Sequence, residues 1–283
     1  MKLGIIGNGF VGKATQFLKS SIVDTLYVYD IVPEKCTPVG LTFDKLAECD
    51  LIFIALPTPM LPNGCCYLDT IKQCIGDLNR ITNPAFTSII LRSTVPPGTS
   101  EELGVYFMPE FLTERNWMND FVNCKHWIFG CDPNDNVFIE KITKLFNQAQ
   151  SEGILKYNNL HFTTRKEAEL VKYVRNSFLA MKVSFFNEIY DLSQKLGIDF
   201  ESVRKLSTLD DRIGPSHSNV PGPDGLRGYG GTCLPKDVHN LLNEMCNVEV
   251  DSHIVRAIIE RNEKVDRMQK DWLYDNGRVI LFK

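Results

Sequence analysis

"KLGIIGNGFVGKA", Lys2 to Ala14, joins an apolar run to three glycines spaced GxGxxG and then to the opening of a helical stretch. After a strand, that spacing has a use at each position. Gly7 permits a tight turn, Gly9 lets backbone approach a pyrophosphate, and Gly12 allows close helix–strand packing. The helix N-terminus then faces the phosphate charge. Three glycines alone also fit a plain tight turn, so the next apolar run matters. "TLYVYD" ends on Asp30, about 20 residues further on, where a carboxylate binds ribose hydroxyls. Ile31 follows it and no Arg is adjacent. A carboxylate there repels a 2′-phosphate, so the expected cofactor is NAD rather than NADP.

Outward from this stretch, "DLIFIAL" and "TSIILRS" are apolar almost throughout, and "VYFMPEF" and "HWIFG" read as two further strands. Runs of this kind suit a parallel sheet covered on both faces. The expected fold is α/β: an N-terminal Rossmann-type doubly wound parallel sheet over 1–160, followed by an all-helical domain over 161–275. Two loops after strands, "LPTP" (Leu56–Pro59) and "STVPPGT" (Ser93–Thr99), stand where ligands of such sheets bind, although Pro-rich loops also serve as stiff connectors. From about Thr163 to Asp199 the chain has no Pro and a helical rhythm, enough for one helix of about nine turns that Gly197 would end. "FESVRKLSTL", "KDVHNLLNEMC" and "SHIVRAIIERNEKVDRMQKDWLYD" read as further helices, separated by a Gly/Pro-rich loop from Ile213 to Gly231. The closing "NGRVILFK" has the look of a strand just begun.

Composition narrows the function classes. A net charge of −4 without a basic block argues against nucleic acid, and no apolar run approaches a membrane span. Nine cysteines without CxxC or Cys/His ligand spacing read as reduced thiols of a cytosolic protein, with no metal site. Several polar residues invite a chemical reading: Glu110 and Glu114 in "PEFLTE", Lys172 and Asn176 four apart on the long helix, and Cys233 and Asp237 bracketing "LPK". Each also has an ordinary structural reading, as a solvated face, a helix edge or a buried thiol.

Six ordered stretches, "GIIGNGFVG", "STVPPGT", "PEFLTE", "AELVKYVRNSFLAMKVSFFNE", "DDRIG" and "GYGGTCLPKD", resemble the UDP-glucose/GDP-mannose dehydrogenase family over nearly the whole chain. The resemblance implies oxidation of a nucleotide-sugar C6 alcohol to a carboxylate with two NAD, through a cysteine thiohemiacetal and thioester. It implies Cys233 as nucleophile, Lys172 stabilising alkoxide and oxyanion with Asn176 beside it, Asp237 and Thr94 holding water, and Glu114 as acid/base. Glu110 would position substrate or Lys172, Gly230 would lie against the sugar, and Arg212 would reach a neighbouring subunit's substrate. Cofactor contacts are expected at Gly7, Gly9, Phe10, Val11, Gly12, Asp30 and Lys35, and at Pro57, Thr58 and Thr94. Lys236 matches the motif but is given no role beyond an ion pair. The long helix implies a homodimer. UDP-glucose is the expected substrate, with GDP-mannose as the alternative. Other readings are a two-electron hydroxyacid dehydrogenase, which gives Cys233 no purpose, and a non-catalytic NAD-binding subunit. Family members carry a third, nucleotide-holding domain, of which 276–283 would be a remnant.

Overall fold

The structure, a computed structural model, describes residues 1–282. It divides into two compact units, one of Met1–Thr58 with Leu68–Lys172, the other of Pro59–Tyr67 with Tyr173 onward.

The first unit is built on a seven-stranded sheet in the order β2-β1-β3-β4-β5-β6-β7. The strands are β1 (Lys2–Ile6), β2 (Thr25–Tyr29), β3 (Leu51–Ile54), β4 (Ser88–Leu91), β5 (Tyr106–Phe107), β6 (His126–Gly130) and β7 (Asn159–Thr163). All neighbours pair in parallel except β5 and β6. The expected strands form at the expected places. β7 was not expected, and β6 with β7 runs against the other five. "NLHFT" carries Asn and His at an edge and is nowhere fully buried, so its apolar signal is weak.

Alternate residues of β1, β3 and β4 serve opposite cores, as strand pleating requires. Leu3, Ile5, Leu51, Phe53 and Ile90 face one cluster, with Ala14 of α1 (Phe10–Thr15), Phe121 of α4 (Trp117–Val122) and Phe138 and Ile142 of α5 (Asn136–Ser151). Ile6, Ile52, Ile54, Ile89 and Leu91 face the other, with Ile71, Ile75 and Leu78 of α2 (Asp69–Ile81). Both faces are covered, which is why these strands read as continuous apolar runs.

Helix α6 (Arg165–Leu196) starts in the first unit and continues into the second, 32 residues in all. Gly197, at φ +66°, ends it, and the Ile198 amide turns back to the Ser193 carbonyl at 2.9 Å. The second unit adds α7 (Phe200–Ser207), capped by Asp199, then α8 (Leu234–Asn247) and α9 (His253–Arg261). Tyr173, Ala180, Tyr229, Val238, Leu241, Val255 and Ile258 form its core. The helix expected to run on toward Tyr274 stops at Arg261 and gives way to a π-helical turn, Asn262–Asp266, in which Asn262 and Asp266 are buried. The described part of "NGRVILFK", Asn276–Phe282, forms no strand; Lys283 lies outside the described residues. Ile280 makes single bridges to Met60 and Asn276, and Val279 and Ile280 bury themselves against Met60 and Trp272.

Candidate active site

In the first unit the glycine turn is set by two steric demands and one opening. A Cβ on Gly7 (φ +91°) would lie 2.5 Å from the Ala55 carbonyl oxygen, and one on Gly12 would lie 1.9 Å from that of Gly7. A Cβ on Gly9 would meet nothing within 4 Å. Gly7 and Gly12 are thus required by the fold, where the β1 and β3 loops approach, and Gly9 leaves open backbone above the start of α1, where Phe10 and Val11 are partly buried. Asp30 at the end of β2 accepts the Asn8 amide at 2.8 Å on one oxygen and the Val32 amide at 3.0 Å on the other. Lone pairs remain on both oxygens. Lys35 is exposed, and its carbonyl accepts the Asn8 side-chain amide at 2.6 Å. These residues fit a dinucleotide: a tight turn, exposed backbone and a carboxylate on the adjoining strand.

The loops after β3 and β4 are laced together. Thr58 Oγ1 donates to the Thr94 carbonyl at 2.7 Å, and Ser93 Oγ to the Leu56 carbonyl at 2.6 Å. Pro57 is exposed while Thr58 and Thr94 are buried. Glu169 of α6, to which sequence reasoning gave no role, holds this loop from behind. Its carboxylate accepts the Gly98 amide at 2.5 Å and the Ser100 amide at 2.7 Å. Burial pushes its carboxyl up, against those two hydrogen bonds.

Glu110 and Lys172 meet. Lys172 Nζ donates to Glu110 Oε1 and to the Glu110 carbonyl, both at 2.6 Å, and both side chains are buried. Burial alone would raise the Glu110 carboxyl; the Lys172 ammonium outweighs it and holds it below the ordinary range. Glu114, four residues on, lies exposed in the loop after β5. Arg92 was also missed. It is fully buried, stacked 5.7 Å over Phe121, and burial lowers it to about 10 despite nearby Glu110.

In the second unit Cys233 caps α8 and is partly buried. Its sulfur lies 3.6 Å from Thr232 Oγ1, and its carbonyl accepts the Asp237 amide at 3.0 Å. Pro235 sits in the first turn, where a helix has no use for its missing amide hydrogen. Asp237 is wholly buried between two donors: Asn176 Nδ2 at 2.6 Å and Lys236 Nζ at 2.5 Å. Burial would lower the Lys236 ammonium, but the charges of Asp237 and Cys233 outweigh it and raise it. Lys236 makes the ion pair expected of it, and makes it buried. Arg212 stands exposed, its guanidinium on Asp210 at 2.5 Å.

The side-chain faces of Gly228 and Gly230, before Cys233, are filled by the chain's own side chains. A Cβ on Gly228 would lie 2.3 Å from Asn262 Oδ1, and one on Gly230 would lie 2.4 Å from the Arg267 guanidinium carbon. Only Gly231 of the three is open, and its φ of +73° is the left-handed region that favours glycine.

Two sequence models of one family match this chain. The NAD binding domain of the UDP-glucose/GDP-mannose dehydrogenase family matches residues 38–150, and the family's central domain matches 166–264. The chain belongs to the UDP-glucose/GDP-mannose dehydrogenase family. Its cofactor is that family's NAD. Among curated relatives, the UDP-glucose 6-dehydrogenase of Rhizobium meliloti (strain 1021) is 32% identical over 236 residues, 78% of this chain and 52% of the relative. A UDP-glucose 6-dehydrogenase of Bacillus subtilis (strain 168) is 28% identical, spanning 96% of this chain and 68% of its own. The chain thus spans about half the length of the first relatives it matches. Among solved structures, a UDP-glucose dehydrogenase from Pyrobaculum islandicum superposes with a TM-score of 0.77 at 25% identity, covering 93% of this chain and 68% of that one. Mycobacterium tuberculosis 3-hydroxyisobutyrate dehydrogenase shares the fold alone, with a TM-score of 0.69 at 14% identity over 99% of this chain and 96% of its own. No helix among the described residues is long and apolar enough to cross a membrane.

Proposed function

We propose that this family member is an NAD-dependent nucleotide-sugar 6-dehydrogenase that converts UDP-glucose to UDP-glucuronate. One observation carries the reading: Cys233 stands at the start of α8, one turn ahead of the fully buried Asp237 carboxylate, which Lys236 and Asn176 hold. A two-electron alcohol dehydrogenase has no use for such a thiol. NAD, when bound, accepts the hydride in each oxidation. Lys172 stabilises the substrate alkoxide as its proton leaves, and Glu110 fixes the ammonium that does so. The alcohol loses two electrons and becomes an aldehyde. The Cys233 sulfur adds to the aldehyde carbon, giving a thiohemiacetal whose oxygen draws on Lys172 and Asn176. Loss of two more electrons leaves a thioester. Asp237, with Thr94, holds the water that cleaves it, Glu114 takes the water's proton, and the thiol is restored.

Gly230 offers its backbone to the sugar, and Arg212 reaches the substrate of a second subunit. A homodimer through α6 is supported by an exposed apolar row: Val174, Phe178, Phe185, Leu192 and Leu196. Nine thiols outside any disulfide fit the reducing cytoplasm.

The test is stoichiometry on UDP-glucose and GDP-mannose. Two NADH per carboxylate product are expected with UDP-glucose, and at most one per substrate with Cys233→Ala. A variant that still yields two removes Cys233 from the chemistry. NAD binding without NADH from either sugar leaves the non-catalytic reading instead, and a monomer mass by light scattering removes the dimer.

A further inference from the structure

The π-helical turn after α9 is the feature the family reading leaves unused. It closes with the Arg267 amide on the Asn262 carbonyl at 2.7 Å, an i→i+5 bond. In an α-helix residues i+3 and i+4 share the face of residue i; widening the turn by one brings i+4 and i+5 there instead. Asn262, Asp266 and Arg267 accordingly all face one way, and all three are buried. What they face is the backbone that leads to Cys233.

Asn262 clamps Tyr229. Its Oδ1 accepts the Tyr229 amide and its Nδ2 donates to the Tyr229 carbonyl, each at 2.9 Å. A carboxamide, with donor and acceptor side by side, satisfies both groups at once. Asp266 accepts Arg227 at 2.9 Å and Arg261 at 2.9 Å, and both arginines reach Asp191 of α6, at 2.8 and 2.5 Å. Arg267 lays its guanidinium on Gly230 and spans Asp224 of the Gly/Pro loop, at 2.7 Å, and Asp271, at 2.5 Å. Gly228 and Gly230 are glycines because these side chains occupy the space.

We propose that Asn262 and Arg267 are positioning residues for Cys233: they fix the Gly228–Gly231 backbone and so hold the thiol at the start of α8, beside Thr232. This rests on Cys233 being the nucleophile, and the two claims separate in one experiment on the full chain. Asn262→Asp keeps the acceptor and loses the donor; Arg267→Lys keeps the charge and loses the planar fork. For each folded variant three quantities are read: alkylation of Cys233 by iodoacetamide, followed by mass spectrometry of its peptide; kcat for NADH formation; and KM for NAD. Alkylation is expected to slow at least fivefold and kcat to fall at least tenfold. KM for NAD should stay within twofold, because the glycine turn and Asp30 lie in the first unit. Should Asn262→Asp fail to fold, Arg267→Lys carries the decision. Alkylation within twofold of wild type in a folded variant overturns the positioning role. Wild-type chain that alkylates at Cys233 but makes no NADH overturns the dehydrogenase reading, and the alkylation comparison still decides the positioning.

Discussion

Replacing Lys236 with Met is expected to cost the second unit about 3–5 kcal/mol, and adding Asp237→Asn to recover most of it. The magnitudes follow from the geometry. The ammonium and carboxylate are 2.5 Å apart, with 9% and 0% of their side chains exposed. At an effective dielectric of about 20 their attraction is on the order of 6 kcal/mol. Desolvating the two ions costs several kcal/mol each, so the pair as a whole comes close to break-even. Half a pair does not. Lys236→Met leaves the Asp237 charge buried with Asn176 as its remaining side-chain donor. In Lys236→Met/Asp237→Asn the charge is gone and Asn176 still has an oxygen to bond. The double variant should therefore lie within about 1–2 kcal/mol of wild type. Urea unfolding read by hydrogen exchange at the α8 amides reports the second unit directly. Singles whose costs simply add in the double variant would refute the coupling.

Gly9→Ala should weaken NAD binding at least tenfold with an unchanged melting temperature, since its Cβ enters open space where cofactor approaches. Gly12→Ala should lower the melting temperature itself, its Cβ falling 1.9 Å from backbone; equal behaviour of the two variants in calorimetry would contradict the assignment. Glu263 is held at about 2, chiefly by its hydrogen bond from His239 and, against burial, by Lys270 as well. A depressed carboxyl stabilises above its ordinary pKa of 4.5 and loses that contribution as pH falls toward 2. Discounted for partial exposure, Glu263→Gln should cost about 1 kcal/mol at pH 7, and a stability gap that stayed constant down that window would count against the ion pair.

The sheet was legible because its strands are covered on both faces: Leu3, Ile5, Ile52 and Phe53 leave an unbroken apolar record. β7 and the π turn were not. β7 is an edge strand with mixed side chains, and "RNEKVDRMQ" keeps a helical composition while its geometry depends on where Asn262 and Arg267 find partners. Site residues followed the same division. The Glu110–Lys172 and Asn176–Asp237 bonds join residues already singled out, though 62 and 61 positions apart. Arg92, Glu169 and Asn262 went unseen because each acts through one or two contacts far away in sequence, and nothing in its neighbours records them.

Glycine is where local reading is most ambiguous, since a missing side chain says that space is needed but not what fills it. In "GNGFVG" the open position is Gly9, where no part of the chain comes within 4 Å of a Cβ. In "GYGG" the occupants of Gly228 and Gly230 are Asn262 and Arg267, some 34 and 37 residues later, and Gly231 alone stays open. The same residue type thus leaves open space in one motif and packs on the protein's own helical turn in the other. That difference has a consequence for the proposed nucleophile. A cysteine flanked by glycines bare to solvent would sit on a loose hinge. With two of the three glycines packed on buried polar side chains, Cys233 starts its helix from a fixed point, which is what a thiol needs if it is to meet an aldehyde carbon at one angle and then release it.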